Sequence, residues 1–177
     1  MALQNYTELK HFSTWKECSF DDSRAESMID DDTQRVINFD KVKTGYLNDL
    51  GKTEECAASV DAIGEDDQGC VYMVEFKNGE IDKEQIRNKI MESLLIYCDI
   101  THTTLKTTRE TMEFILVYNE KNKKFQGKEQ KAIYLAQLAK SSCSLYELDK
   151  YKGFCLHNAY LMSAKDFARK KAGKIRV

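Results

Sequence analysis

The 177-residue chain contains no proline. That removes proline-rich linkers and suits one domain over residues 1–177, a length sufficient for an ordinary buried core. Six cysteines, at positions 18, 56, 70, 98, 143 and 155, include no CxxC pair and no histidine spacing of a zinc module. With no signal peptide at the start, they point to reduced core residues in a cytoplasmic protein. Apolar runs such as Leu94–Tyr97 and Phe114–Tyr118 fall far short of the roughly 20 residues a bilayer requires, so no membrane partner is expected. There is no Walker loop, GxSxG elbow, Rossmann fingerprint, internal repeat or low-complexity tract.

Charge of either sign is nearly balanced: the net charge is −2 and the pI is near 6.0. The chain as a whole therefore has no attraction for nucleic acid, and any such binding must come from a local patch. One patch lies at the end, where Lys165, Arg169, Lys170, Lys171, Lys174 and Arg176 face one acid, Asp166. It reads either as a phosphate-contacting surface, with Arg169, Lys170 and Lys171 the nucleic-acid-binding candidates, or as a solvated basic tail. The opposite bias appears early, where Glu17, Asp21, Asp22, Glu26 and Asp30–Asp32 are opposed by Lys16 and Arg24. That segment reads as a solvated connection, and an acidic flap over a site is the alternative. Its spacing lacks the glycine and final glutamate of a calcium loop.

Residues 56–77 carry the strongest signal. An apolar arm, a polar turn (Gly64–Gly69) and the arm Cys70–Lys77 read as a β-hairpin. Side chains two apart share a face, so Met73, Glu75 and Lys77 line one side and Tyr72, Val74 and Phe76 the other, which is the side expected to pack. If Gly64 faces Cys70, Asp61 stands opposite Met73 and diagonal to Glu75. The acid-any-Lys tripeptide occurs three times: at Glu8, at Glu75 and at Glu129. Only Glu75-Phe76-Lys77 sits in an alternating apolar run, behind a strand that ends in an acid and ahead of an Asn78-Gly79 turn and a helix start.

Val60-Asp61, the hairpin, Val74–Gly79 and the following helix resemble the core of the restriction-endonuclease-like PD-(D/E)XK nuclease superfamily, over about residues 33–120. The resemblance implies an α/β fold with a mixed central sheet flanked by helices. It also implies a magnesium-dependent (or manganese-dependent) nuclease that hydrolyses phosphodiester bonds of DNA, or RNA, through a metal-bound water. Carried over residue by residue, Asp61 and Glu75 are metal ligands, the Phe76 carbonyl is a third, and Lys77 directs the water. Magnesium prefers hard oxygen donors and keeps several waters, so two carboxylates from adjacent strands suit it. Nucleic acid, DNA first, is the expected partner, and a homodimer stays open. Two other readings remain: a non-hydrolysing binding module of the same architecture, and an unrelated α+β protein whose Glu75 and Asp61 lie apart.

The rest of the pattern is helix over 3–16 with Trp15 as a packing anchor, then a segment over 33–50 that reads as a helical stripe or, over residues 35–42, as a strand, with helix for its latter half. The family pattern is a helix, three strands, a helix and a further strand, and an acid from the first helix often completes the site. Asp40, Asp49 and Glu26 are the candidates for that acid. Asp82 and Gln85 resemble a capping box that starts a helix running to about Cys98, with Ile86, Ile90, Leu94 and Tyr97 facing the core. Gln85, Lys89 and Glu92 share a neighbouring face, and Lys89 is the preferred phosphate contact. Met112–Tyr118 reads as a buried strand beside the Glu75 strand. A helix over 127–140, a strand near Phe154–Met162 and a basic helix capped by Ser163 and Asp166 follow. His102 and His157 receive no role.

Overall fold

A computed structural model describes residues 3–120 and 146–177. Two 3-10 turns, Leu3–Asn5 and Thr7–Leu9, lead into β1 (Phe12–Thr14) and a single helical turn, α1 (Trp15–Cys18). The expected 3–16 helix is therefore not formed. Its apolar residues are spent separately: Leu3 and Leu9 pack on one face of the sheet and Trp15 on the other, which no single helix could do. A small hairpin follows, β2 (Phe20–Asp21) with β3 (Glu26–Ser27), and then β4 (Arg35–Asn38), α2 (Phe39–Asp49), β5 (Ala62–Glu65) and β6 (Val71–Lys77). The chain continues through α3 (Lys83–Thr101), α4 (Leu105–Thr111), β7 (Met112–Tyr118), β8 (Asn158–Ser163) and α5 (Ala164–Phe167). The helix expected over 127–140 lies outside the described residues.

The main sheet is mixed, with six strands in the order β1-β4-β5-β6-β7-β8. Strands β1, β4, β5 and β6 pair antiparallel, and β7 and β8 are parallel to β6. The parallel step from β6 to β7 uses α3 as its crossover, as parallel pairing requires. Helix α2 interrupts the antiparallel set after β4, so a strand precedes the first long helix where the family pattern has the helix first.

Both faces of the sheet are covered. Val71 and Met73 pack with Ile86, Ile90 and Leu94 of α3. Tyr72, Val74 and Phe76 pack with Trp15, Phe167 and Ile175. The expectation that only the Tyr72–Phe76 face packs is thus corrected: β6 is buried on both sides, as a strand next to a parallel crossover is. Trp15, Phe76 and Phe167 meet edge to face at 5.0–6.2 Å, and the Trp15 indole donates to the Ala172 carbonyl at 3.0 Å. Such aromatic pairs add about 0.5–1.5 kcal/mol each beyond burial and brace the back of β6.

The basic C-terminal segment is docked. Glu65 and Arg176 exchange backbone hydrogen bonds at 2.8 and 2.9 Å, and Val177 N–H donates to Arg35. Of the described cysteines, Cys155 is buried, Cys56 is exposed, and all five are free thiols. Among the described residues no helix is long and apolar enough to cross a membrane.

Candidate active site

Asp61 immediately precedes β5, and the register pairs Ala62 with Val74. Continued by one residue, that ladder sets Asp61 opposite Glu75. The expected pairing with Met73 is therefore off by two. The error is harmless for facing, because a two-residue slip preserves the side on which every side chain points. The Asp61 carbonyl accepts from Phe39 N–H at 3.1 Å and so looks away from β6. This makes Asp61 and Glu75 a non-hydrogen-bonded pair, the kind in which Cα atoms approach to about 4.5 Å and side chains stand closest.

The segment before β5 is held by α3. Asp82 caps that helix, accepting from Glu84 N–H and Gln85 N–H at 2.8 and 3.2 Å. Further along, Glu92 accepts from Ala58 N–H, and Ser93 Oγ accepts from Val60 N–H at 2.9 Å. Val60 and Asp61 are thereby fixed against the helix that also supplies Lys89.

Lys89 Nζ lies 3.3 Å from Asp61 Oδ1 and 2.8 Å from the Glu75 carboxylate. Lys77 Nζ lies 3.1 Å from Glu75 Oε1 and donates to Gln85 Oε1 at 2.6 Å. Glu75 is fully buried. Two carboxylates and two ammonium groups thus form one compact cluster at the C-terminal end of β6, the end where crossover folds of this kind place ligands.

Burial, and then the charge of Glu75, raise the Asp61 carboxyl to about 8, against the opposing pull of Lys89 and of Phe76 N–H. Burial lowers Lys89, but Glu75 and Asp61 outweigh it and the net shift is upward. Lys89 is therefore a cation held by the two acids. Helical spacing alone places Lys89 on the neighbouring helix face as a phosphate contact, whereas its ammonium is held by Asp61 and Glu75, partners that lie 28 and 14 residues earlier in the chain.

Asp61 Oδ2 accepts from Phe76 N–H at 2.6 Å. In an extended strand the N–H and C=O of one residue point to the same edge. The Phe76 carbonyl therefore looks toward the Asp61 side, while the Lys77 carbonyl accepts from Asn119 N–H on the other edge at 3.1 Å. Two carboxylates and one carbonyl from adjacent strands make a hard, oxygen-only donor set that fits a magnesium or manganese ion. Among the described residues there is no cluster of three or more acidic, histidine or cysteine side chains of that kind, so the carbonyl and solvent would have to complete the shell.

Of the three upstream acids, Asp40 is the one near the site. It accepts from Ser59 Oγ, and its charge acts on both Asp61 and Lys89. Asp49 is exposed at the far end of α2, and Glu26 pairs with Arg24 at 3.9 Å. The C-terminal cations are not brought to the cluster. Arg169 and Lys170 pair with Asp166 at 2.9 and 3.3 Å. Lys171 lies 3.6 Å from Glu113 and stacks over the Tyr72 ring at 4.5 Å, on the sheet face opposite Glu75. His102 takes a left-handed conformation that ends α3, and His157 is exposed.

A cavity of about 400 Å³ opens beside Asp61 and Phe76, lined also by Phe20, Asp21, Asp22 and Asn78. The acidic segment expected to be a solvated connection thus folds, through β2 and β3, into the wall of this cavity. Compared with known proteins, the chain matches no family model, no curated protein and no solved structure.

Proposed function

We propose that the protein is a metal-dependent nuclease of restriction-endonuclease-like architecture, hydrolysing phosphodiester bonds with Asp61, Glu75 and the Phe76 carbonyl as metal ligands. One observation carries the reading: Asp61 and Glu75, from neighbouring strands, converge on a single cation, the Lys89 ammonium, at 3.3 and 2.8 Å. Carboxylates that were merely surface charges would not share a half-buried counter-ion, nor would one of them, Glu75, be fully buried. The PD-(D/E)XK resemblance supports the same assignment for Asp61, Glu75 and Lys77.

When bound, a divalent ion supplies charge neutralisation at the phosphate and acidifies a water. The chain's own groups do the rest. Lys77 has one carboxylate partner and one neutral partner, Gln85, so its ammonium is the group positioned to meet negative charge developing on phosphate oxygens. Lys89 is the counter-ion that Asp61 and Glu75 share, and with a metal held by those two groups its ammonium would be available to the phosphate. The Asp61–Phe76 N–H hydrogen bond fixes one carboxylate oxygen and leaves the other to a cation. Incubation with plasmid, single-stranded DNA and RNA in Mg²⁺ or Mn²⁺ tests the proposal: cleavage that chelation abolishes is the expected result, and intact substrates in all three cases would overturn it.

A further inference from the structure

The cavity beside Asp61 adds a substrate preference to that reading and rests on it. At about 400 Å³ it falls within the range of small-ligand sites. A cavity of that size takes a single base and does not enclose a duplex. Beside the Asp61 carboxyl its acidic lining is Asp21 and Asp22, and among the described residues no lysine or arginine lines it. A phosphate is repelled from such a wall, whereas an uncharged base with amino donors on its edge is accepted. Phe20 lines the same cavity with half its surface in solvent, the exposed aromatic that a base stacks on. Asn78 Oδ1 accepts from Asn119 Nδ2 at 2.7 Å, and the Asn78 amide nitrogen is buried. Lys77 and Lys89 do not line the cavity and are both held at Glu75.

Base and phosphate chemistry are thus segregated about one carboxylate. We infer that the site acts on an unpaired strand: the base next to the scissile phosphate enters the hairpin-walled cavity and stacks on Phe20, while its phosphate stays with Lys77 and Lys89. A base still paired in a duplex cannot make this insertion without being extruded.

The test compares cleavage of one labelled oligonucleotide as a single strand and as a perfect duplex, in Mg²⁺, by wild type, Phe20→Ala and Phe20→Trp. The single strand should be cut at least about tenfold faster. Phe20→Ala should slow that cleavage about 5- to 150-fold, the loss of one base stack, and Phe20→Trp should restore it. An unchanged melting temperature for Phe20→Ala excludes misfolding. Equal rates on both substrates, or a Phe20→Ala protein that cuts single strands as wild type does, would overturn the inference and leave the nuclease reading standing. If nothing is cut, anisotropy with the same oligonucleotide separates the two claims. Single-strand binding weakened by Phe20→Ala upholds the cavity assignment without the chemistry, and absence of binding overturns both.

Discussion

Asp61 and Glu75 stand across the β5–β6 pair from one another, and one ammonium, Lys89, serves both, at 3.3 and 2.8 Å. Taking one partner out of a buried ion pair leaves an uncompensated charge and costs about 3–5 kcal/mol. Lys89→Met should therefore destabilise the metal-free protein by that order in urea denaturation. Because a divalent ion replaces the missing charge, millimolar Mg²⁺ should raise the midpoint more in Lys89→Met than in wild type. Equal responses in the two proteins would mean that the carboxylates do not form a cation seat.

Lys77 is 15 % exposed and is tied to Glu75 and Gln85 rather than packed in the core. Lys77→Ala removes one of the two cations at the buried Glu75 and should destabilise the protein less than Lys89→Met, because Lys89 still serves that carboxylate. Well below its melting temperature it should reduce single-turnover cleavage by about 10²–10³, the usual effect of deleting one group that stabilises transition-state charge. Gln85→Ala frees Lys77 without removing it and should cost far less. Cleavage by Lys77→Ala at the wild-type rate would remove Lys77 from the chemistry.

The folded state resists ionising Asp61, whose carboxyl titrates at about 8 instead of 3.8. A group with a raised folded-state pKa favours folding while protonated. This contribution is fully present below about 4 and is lost as pH rises toward 8. Metal binding has the opposite slope, since it requires the carboxylate. Without metal, stability should fall across that window, and with saturating Mg²⁺ the fall should be reduced. Asp61→Asn should flatten both profiles in thermal melts taken from pH 5 to 9. A wild-type profile already flat without metal would contradict the assignment.

What the sequence disclosed depended on whether the partners were local. The Asp82 cap follows from local spacing, the α3 stripe Ile86–Ile90–Leu94–Tyr97 from periodicity and the burial of Met112–Tyr118 from a continuous apolar run, and all three were legible. The facing of Asp61 and Glu75 was legible as well, because any two-residue error in register keeps them on one side. The N-terminal segment was not: Leu3, Leu9, Phe12 and Trp15 have roughly helical spacing, yet they serve two sheet faces and an edge strand, a division that only the tertiary arrangement sets. Nor was the fate of the C-terminal cations. Lys171 meets Glu113 and Arg176 meets Asp67, acids more than fifty residues away, so the segment reads as a free basic tail although it is docked.

That docking gives a stability test. A Cβ added at Gly64 would stand 2.5 Å from Ile175 Cγ2 and 3.4 Å from the Arg176 backbone, so Ile175 or the C-terminal segment must move. Gly64→Ala should cost about 1–3 kcal/mol in urea denaturation, the range for overpacking a filled core. The same substitution made together with Ile175→Ala should cost less than the sum of the two single changes. Strict additivity would show that the two residues do not press on one another.

The most direct test of the metal-site claim is an anomalous difference map from crystals grown with Mn²⁺. One strong peak is expected about 2.1 Å from oxygens of both Asp61 and Glu75, with the Lys89 ammonium displaced from between them. A map with no peak there, and Lys89 still bridging the two carboxylates at saturating Mn²⁺, would contradict it.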